Sequence, residues 1–183
     1  MEKSTNAAPI FWSLLAYQDW NMHIGATEKG LCYVGSQNCP FHELADWAAA
    51  RFPGSALVRD DRMMQRYADE LIEYLEGARE SFTAPADLRG TPFQLAVWKA
   101  LCDIPYGQTR TYTDIAETIR KPSSVRAVGA AIGANPNLIT VPCHRVIGKN
   151  GALTGYRGGL DMKTKLLELE RNVSYPKEDV QHA

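Results

Sequence analysis

The sequence predicts an α+β protein of two domains, a strand-and-helix unit followed by a mostly helical one. Three observations carry that expectation. Aromatic and apolar runs separated by turn residues fill 11–34. Helical spacing of apolar residues dominates from 91 onward. Between them, 78–90 shows neither pattern and contains Pro85 and Gly90. The 183 residues, 45% hydrophobic and 22% charged, suffice for two units that each bury a core. The expected division is 1–90, 91–171 and a flexible tail at 172–183.

In chain order, 11–17 and 22–27 read as strands joined by Gln18-Asp19-Trp20-Asn21, and 31–34 as a third strand of an antiparallel meander. Residues 41–52 read as a helix stopped by Pro53-Gly54, and 55–59 as a further strand. An amphipathic helix spans 61–76, where Met64, Tyr67, Ala68, Leu71, Tyr74 and Leu75 recur at helical spacing before Gly77. Thr91-Pro92-Phe93-Gln94 is a capping box with proline at the first helical position. Ile104-Pro105-Tyr106-Gly107 ends that helix. Thr111 caps a short helix reaching Ile119, and Pro122 blocks its continuation. Ser123 or Ser124 opens the next helix, to about Ala134, and this closely joined pair resembles a helix-turn-helix. Residues 138–147 form a β-branched, strand-like run, 148–151 a turn, and 160–171 the last helix.

Charge is divided along the chain. Residues 1–90 carry a net −5, residues 91–171 a net +5 and the tail −1, although the whole chain sums to only −1. A basic second half suits a polyanionic partner, though an asymmetry of this size also arises by chance. Cys32, Cys39, Cys102 and Cys143 are too few and too scattered for a disulfide framework, which points to a reducing, cytoplasmic setting. No apolar stretch is long enough to span a bilayer, and no signal-peptide pattern opens the chain. His23, Cys32, Cys39 and His42 fit no common zinc spacing, so no metal is expected.

The chemistry concentrates in Pro142-Cys143-His144-Arg145-Val146. A thiolate is a nucleophile, and an imidazole can take the thiol's proton. An isolated cysteine is more often a buried structural residue. An apolar core strand, however, rarely spends successive positions on a proline and two polar groups. His144 poses a geometric difficulty, because neighbouring strand residues point to opposite faces. Contact between sulfur and imidazole needs a bend at Pro142 or a bridging water.

This run, with its flanks, closely resembles the active site of the O6-alkylguanine-DNA alkyltransferases. The resemblance covers roughly 91–171. It implies a ribonuclease H-like N-terminal domain and a winged helix-turn-helix-like DNA-binding unit. It also implies single-use repair of O6-methylguanine, with O4-methylthymine as a further substrate, by transfer of the alkyl group to Cys143. No cofactor is expected, and the partner is double-stranded DNA bound by a monomer through the minor groove.

Site roles follow from the same resemblance. A relay from Cys143 through water to His144 and a glutamate is implied, and Glu170 matches the glutamate. Glu170 shares a helix face with Leu166 and Leu167, where an unpaired carboxylate is costly. Asn135 matches the asparagine that buttresses the cysteine turn. Arg126, on a helix face with Gly129, Ala130 and Gly133, matches the arginine that fills the gap left by a flipped nucleotide, and Ala127 is expected among the DNA-binding residues with Ala130 and Gly133. Tyr112 matches the tyrosine that helps turn that nucleotide out. The glycine-rich 148–159 loop matches the guanine pocket, with Tyr156 as a wall, Arg157 at a variable position, and Lys163 just beyond. Arg145 and Val146 are also expected among the base-binding residues. Three rivals remain: a lesion-binding protein without transfer, a cysteine hydrolase, and a transcription regulator. The presence of Cys143 opposes the first, and the short chain opposes the last.

Overall fold

The computed structural model describes residues 7–174. Strands β1 (Ile10–Tyr17), β2 (Trp20–Thr27) and β3 (Gly30–Val34) form the expected antiparallel meander. A short β4 (Leu57–Arg59) adds parallel to β1, which makes the order β3-β2-β1-β4. The first turn is tighter than its sequence suggests. Trp20 and Asn21 belong to β2, paired with Tyr17 and Ala16, because Gln18 takes a positive φ of 49° and Gln18-Asp19 alone closes the hairpin.

The side-chain period of two splits this sheet into two faces, except where a register shift between Gly25 and Ala26 lets the successive Cys32 and Tyr33 share one. Ile10, Cys32 and Tyr33 pack with Leu44, Ala48 and Phe52 at α1 (His42–Arg51). Leu15, Met22 and Ile24 share a core with Met64, Leu71 and Tyr74 of α2 (Asp61–Leu75). Asp60 caps α2 by accepting from the Met63 amide, and Gly77, at φ +78°, lets the chain turn away after it. The following segment, 78–90, is irregular but held. Buried Glu70 accepts hydrogen bonds from the Thr83 amide and hydroxyl and from the Ala84 amide.

The second half comprises α3 (Pro92–Cys102), α4 (Tyr112–Thr118), α5 (Val125–Gly133) and α6 (Leu160–Ser174). Thr91/Gln94 and Thr111/Asp114 both form complete capping boxes. Arg120, at φ +59°, gives the tight reversal between α4 and α5. Beside this helix pair, β5 (Arg110–Thr111) and β6 (Val146–Ile147) make a two-residue parallel ladder. Helix α6 continues through 172–174, which the sequence assigns to the tail. The remainder of that expected tail, 175–183, lies outside the described residues.

The main hydrophobic core crosses from one half to the other. It joins Leu15, Met64 and Tyr74 to Val97, Trp98, Leu138 and Leu166. Trp98 Nε1 also donates to the Ala131 carbonyl at 2.9 Å, locking α3 to α5. The halves therefore meet through buried apolar surface, and each buried Leu or Met contributes about 1.5–3 kcal/mol.

Candidate active site

Of the strand expected over 138–147, only Val146–Ile147 forms one, as β6; 138–145 do not. The β-branched pattern here marks burial rather than extension. Residues 136–138 first pair along the free edge of β3: the Val34 amide donates to the Pro136 carbonyl at 3.0 Å, and Asn137 Nδ2 donates to the Leu31 carbonyl at 3.0 Å. The chain then reverses twice. Ile139, a buried β-branched residue at φ +72°, sits under a Thr140 amide to Leu138 carbonyl bond of 2.8 Å. This is a three-residue turn in a conformation such residues rarely adopt. Pro142, at φ −80° and ψ 61°, centres a second such turn, closed by a Cys143 amide to Val141 carbonyl bond of 2.8 Å. Cys143–Arg145 is then a single turn of 3-10 helix, so Cys143 and His144 no longer obey the strand alternation that would separate them.

Asn135, fully buried just after α5, holds these turns together. Its Nδ2 lies 3.0 Å from the Val141 carbonyl, 3.3 Å from the Asn137 carbonyl and 3.2 Å from Cys143 Sγ, while its Oδ1 accepts from the Asn137 amide. Burial raises the Cys143 thiol above its ordinary pKa. The Asn135 contact, and the charges of Arg157 and Lys163, oppose that rise without cancelling it.

Behind the cysteine lies a buried polar cluster. Glu170 Oε2 accepts from Tyr74 Oη and pairs with His144 Nε2, both at 2.5 Å. Arg145 donates through Nε to Oε1 at 2.7 Å and through Nη2 to Oε2 at 3.2 Å, and the Gly107 amide donates to Oε1 at 3.1 Å. Burial alone would raise Glu170. The hydrogen bond from His144 and the pairing with Arg145 outweigh it and hold the carboxyl at about 2. Burial lowers the His144 pKa, so the imidazole is uncharged at neutral pH and the cation facing Glu170 is Arg145. An ionised carboxylate only accepts, so Nε2 must carry the imidazole proton. That leaves Nδ1, buried and without a partner among the described residues, as the basic nitrogen.

In front of the cysteine opens a cavity of about 570 Å³, lined by Tyr112, Gly129, Ile132, Gly133, Cys143 and residues 154–157. Cys143 is only 3% exposed, so the thiol is reached from within this cavity. Helix α5 forms one rim. Val128, Ala131 and Ile132 are buried, whereas Arg126, Ala127, Ala130 and Gly133 face outward. A Cβ added at Gly133 would meet nothing within 4 Å. The outer face is therefore nearly bare backbone with one long cation.

The structure brings Cys143, His144, Asn135 and Glu170 together, and Tyr112, Tyr156 and Arg157 to the cavity. Three expected base-binding side chains lie elsewhere. Arg145 is buried against Glu170, the Ile104 carbonyl and the Tyr106 ring. Val146 is buried in β6, and Lys163 Nζ donates to the Val146 carbonyl at 2.6 Å and the Thr154 carbonyl at 3.1 Å. Arg145 and Lys163 support the site from behind, because a buried cation is stable only where carboxylate or carbonyl oxygens surround it, and Val146 supplies one of those carbonyls. Sequence reasoning missed Tyr74 and Gly107. Tyr74 reads as one more apolar position of an amphipathic helix, and no local signal shows that its hydroxyl meets a residue 96 positions away.

Comparison with known proteins agrees with this geometry. A family model described as 6-O-methylguanine DNA methyltransferase, ribonuclease-like domain, matches residues 10–88. Its DNA binding domain counterpart matches residues 92–172. The chain is similar to the inducible methylated-DNA–protein-cysteine methyltransferase of Bacillus subtilis, at 64% identity over 170 residues, covering 93% of this chain and 95% of that one. Among solved structures it is similar to the Mycobacterium tuberculosis O6-methylguanine methyltransferase, with TM-score 0.76, 36% identity and coverage of 92% and 96% of the two chains. It is also similar to M. tuberculosis OGT in complex with DNA, with TM-score 0.75, 38% identity and coverage of 89% and 94%.

Proposed function

The chain belongs to the 6-O-methylguanine DNA methyltransferase family, and we propose that Cys143 is the residue that takes the alkyl group, in a single turnover, from O6-alkylguanine in duplex DNA. Its activity is DNA repair by methyl transfer to a protein cysteine. One observation carries the assignment to Cys143: its thiol is the reactive sulfur facing the cavity beside α5, with a paired imidazole and carboxylate behind it.

The reaction begins from a neutral thiol and a neutral imidazole. A base inside the stack cannot reach a sulfur recessed in a cavity, so the damaged nucleotide is turned out of the duplex. As Sγ attacks the alkyl carbon, the sulfur–carbon bond forms and the carbon–O6 bond breaks. The thiol proton moves through a bridging water to His144 Nδ1; the guanine anion that leaves takes one proton from solvent and the imidazolium returns one, so protons and charge balance. Glu170 holds the Nε2–H tautomer and stabilises the imidazolium. The thioether has no leaving route, so each molecule reacts once. Mixing the protein with a duplex carrying O6-methylguanine should add one methyl mass, located on the Cys143 peptide. Many turnovers per molecule, or label on Cys102, would refute this assignment.

The acid limb of the rate should expose the relay. Because burial holds His144 below the ordinary imidazole value, transfer is expected to be level around neutrality and to fall only on acidification below about pH 6.5. Above the ordinary thiol range it should rise again as thiolate forms. Single-turnover rates between about pH 5 and pH 9.5 test this. A rate still climbing through about pH 7–8 would mean an imidazole held above its ordinary value, and would overturn the neutral relay.

Helix α5 is assigned to the minor groove. That groove is only about 6 Å wide, and the face formed by Ala127, Ala130 and Gly133 adds little bulk. Arg126 then occupies the stack position of the extruded nucleotide. Replacing a stacking group costs about 1–3 kcal/mol, so Arg126→Ala should slow duplex repair about tenfold or more. Reaction with free O6-benzylguanine, which needs no extrusion, should hardly change. Equal losses on both would place Arg126 in the fold rather than in flipping.

A further inference from the structure

We propose that Arg157 and Glu43 form a latch that ties one wall of the alkyl-acceptor cavity to the N-terminal sheet unit, and that this latch limits the size of alkyl group accepted. The latch is a geometric inference; its effect on substrate size rests on the reaction proposed above. The wall in question, residues 152–159, contains neither helix nor strand, and its first four residues are exposed. Its front half is tied by the Thr154 hydroxyl to Tyr112 Oη at 2.9 Å and by Lys163 to the Thr154 carbonyl. The back half is tied chiefly through one side chain.

Although Arg157 borders the cavity, all three guanidinium nitrogens are committed elsewhere. Nε donates to the Asn135 carbonyl at 3.0 Å. Nη2 donates to the carbonyls of Val34, at 2.8 Å, and Pro136, at 3.0 Å. Nη1 pairs with Glu43 Oε1 at 3.2 Å, and the guanidinium stacks 5.3 Å from the Tyr33 ring centroid. One planar fork thus joins the cavity wall to the edge of β3, to α1 and to the root of the cysteine turn. Glu43 is itself fixed, since it accepts from Tyr33 Oη at 2.5 Å and the Ser36 amide at 2.9 Å. Ser36 in turn donates to the Arg157 carbonyl at 3.3 Å. A lysine could not reproduce this set, because a single ammonium lacks the fork. The size limit follows if a bulky alkyl group displaces this wall where a methyl group does not.

The test uses the full chain as wild type, Arg157→Ala, Arg157→Lys, Glu43→Gln and the Arg157→Ala/Glu43→Gln double variant. Circular dichroism checks each fold. Amide hydrogen exchange of 152–159 without DNA reads the latch directly. Duplexes carrying O6-methylguanine or O6-benzylguanine read the size limit. Charge-assisted bonds of this kind are strong enough that Arg157→Ala should speed exchange in 156–159 about tenfold or more. Arg157→Lys and Glu43→Gln should fall between it and wild type, and the double variant should not exceed Arg157→Ala. The ratio of benzyl to methyl transfer should rise by up to about tenfold in Arg157→Ala. Unchanged exchange overturns the latch. Faster exchange with an unchanged or lower ratio overturns the size limit. Exchange is read without any alkyl transfer, so a wild-type protein that transfers neither group would overturn the proposed reaction while the exchange result still decided the latch.

Discussion

Cys143→Ser is expected to leave damaged duplex bound but unrepaired, with no methyl mass gain over a time in which the parent reacts completely. The reason is local. A serine hydroxyl at this depth is a far weaker nucleophile than a thiol whose proton passes to His144. The same change should spare the scaffold. Asn135 Nδ2, now 3.2 Å from Sγ, can donate to a hydroxyl at that place, so the new polar atom is not left unpaired. Stability should change by no more than about 1 kcal/mol. The outward face of α5 lies on a separate element, so affinity for duplex should stay within about threefold of the parent. A gel-shift titration beside intact-mass analysis separates the two effects. Transfer to the Cys143→Ser protein at anything near the parental rate would move the acceptor to another cysteine.

Glu170→Gln should damage both chemistry and fold. The carboxylate receives Tyr74, His144, Arg145 and the Gly107 amide in a region where it is 1% exposed. An amide supplies one acceptor oxygen and turns its nitrogen toward donors. It also leaves the Arg145 guanidinium buried without a counter-charge. Breaking a buried pair in this way costs about 3–5 kcal/mol, which in a chain of this size lowers the melting temperature by roughly 10 °C. Transfer should slow by up to about 10⁴, the scale seen when the carboxylate that orients a catalytic histidine is lost.

The same carboxylate sets the acid sensitivity of the fold. Its folded pKa of about 2 lies below the ordinary 4.5, so the unfolded chain binds that proton more readily. The stability it contributes is complete above about pH 4.5 and is lost as pH falls toward about 2. His144, held neutral by burial, adds a loss that begins once pH drops below the ordinary 6.5. Urea melts at stepped pH should show the parent losing stability in both windows, and Glu170→Gln losing less in the lower one. A parental rate together with a parental melting curve would remove Glu170 from both roles.

Much of this was legible in the residues themselves. The capping box at Thr91, the cap at Thr111, the amphipathic α2 and the stop at Gly77 are governed by contacts within a few positions, and each appears where the sequence places it. That α5 has two unlike faces follows from helical period, which puts Arg126, Ala130 and Gly133 outward; Gly129, expected on that face, is only part-exposed and borders the cavity, and Ala127 takes its place. The short motif around Cys143 signalled its chemistry because a proline, a thiol, an imidazole and a guanidinium at successive positions serve poorly as core filling.

The shape of that motif was decided by tertiary structure. Residues 138–147 have the composition of a strand, yet the free edge of β3 captures only 136–138, and Asn135 then folds the residues before β6 into reversals that no local pattern announces. Arg145, expected among the base-binding residues, is instead drawn inside by Glu170, 25 positions later. Tyr74 and Arg157 are the same case at longer range, since their partners lie 96 and 114 positions away. Local sequence determines what the backbone can hydrogen-bond to nearby and which side of an element is apolar. Where a buried polar group finds its partner depends on which elements the shared core brings together, and that is settled only when both halves pack.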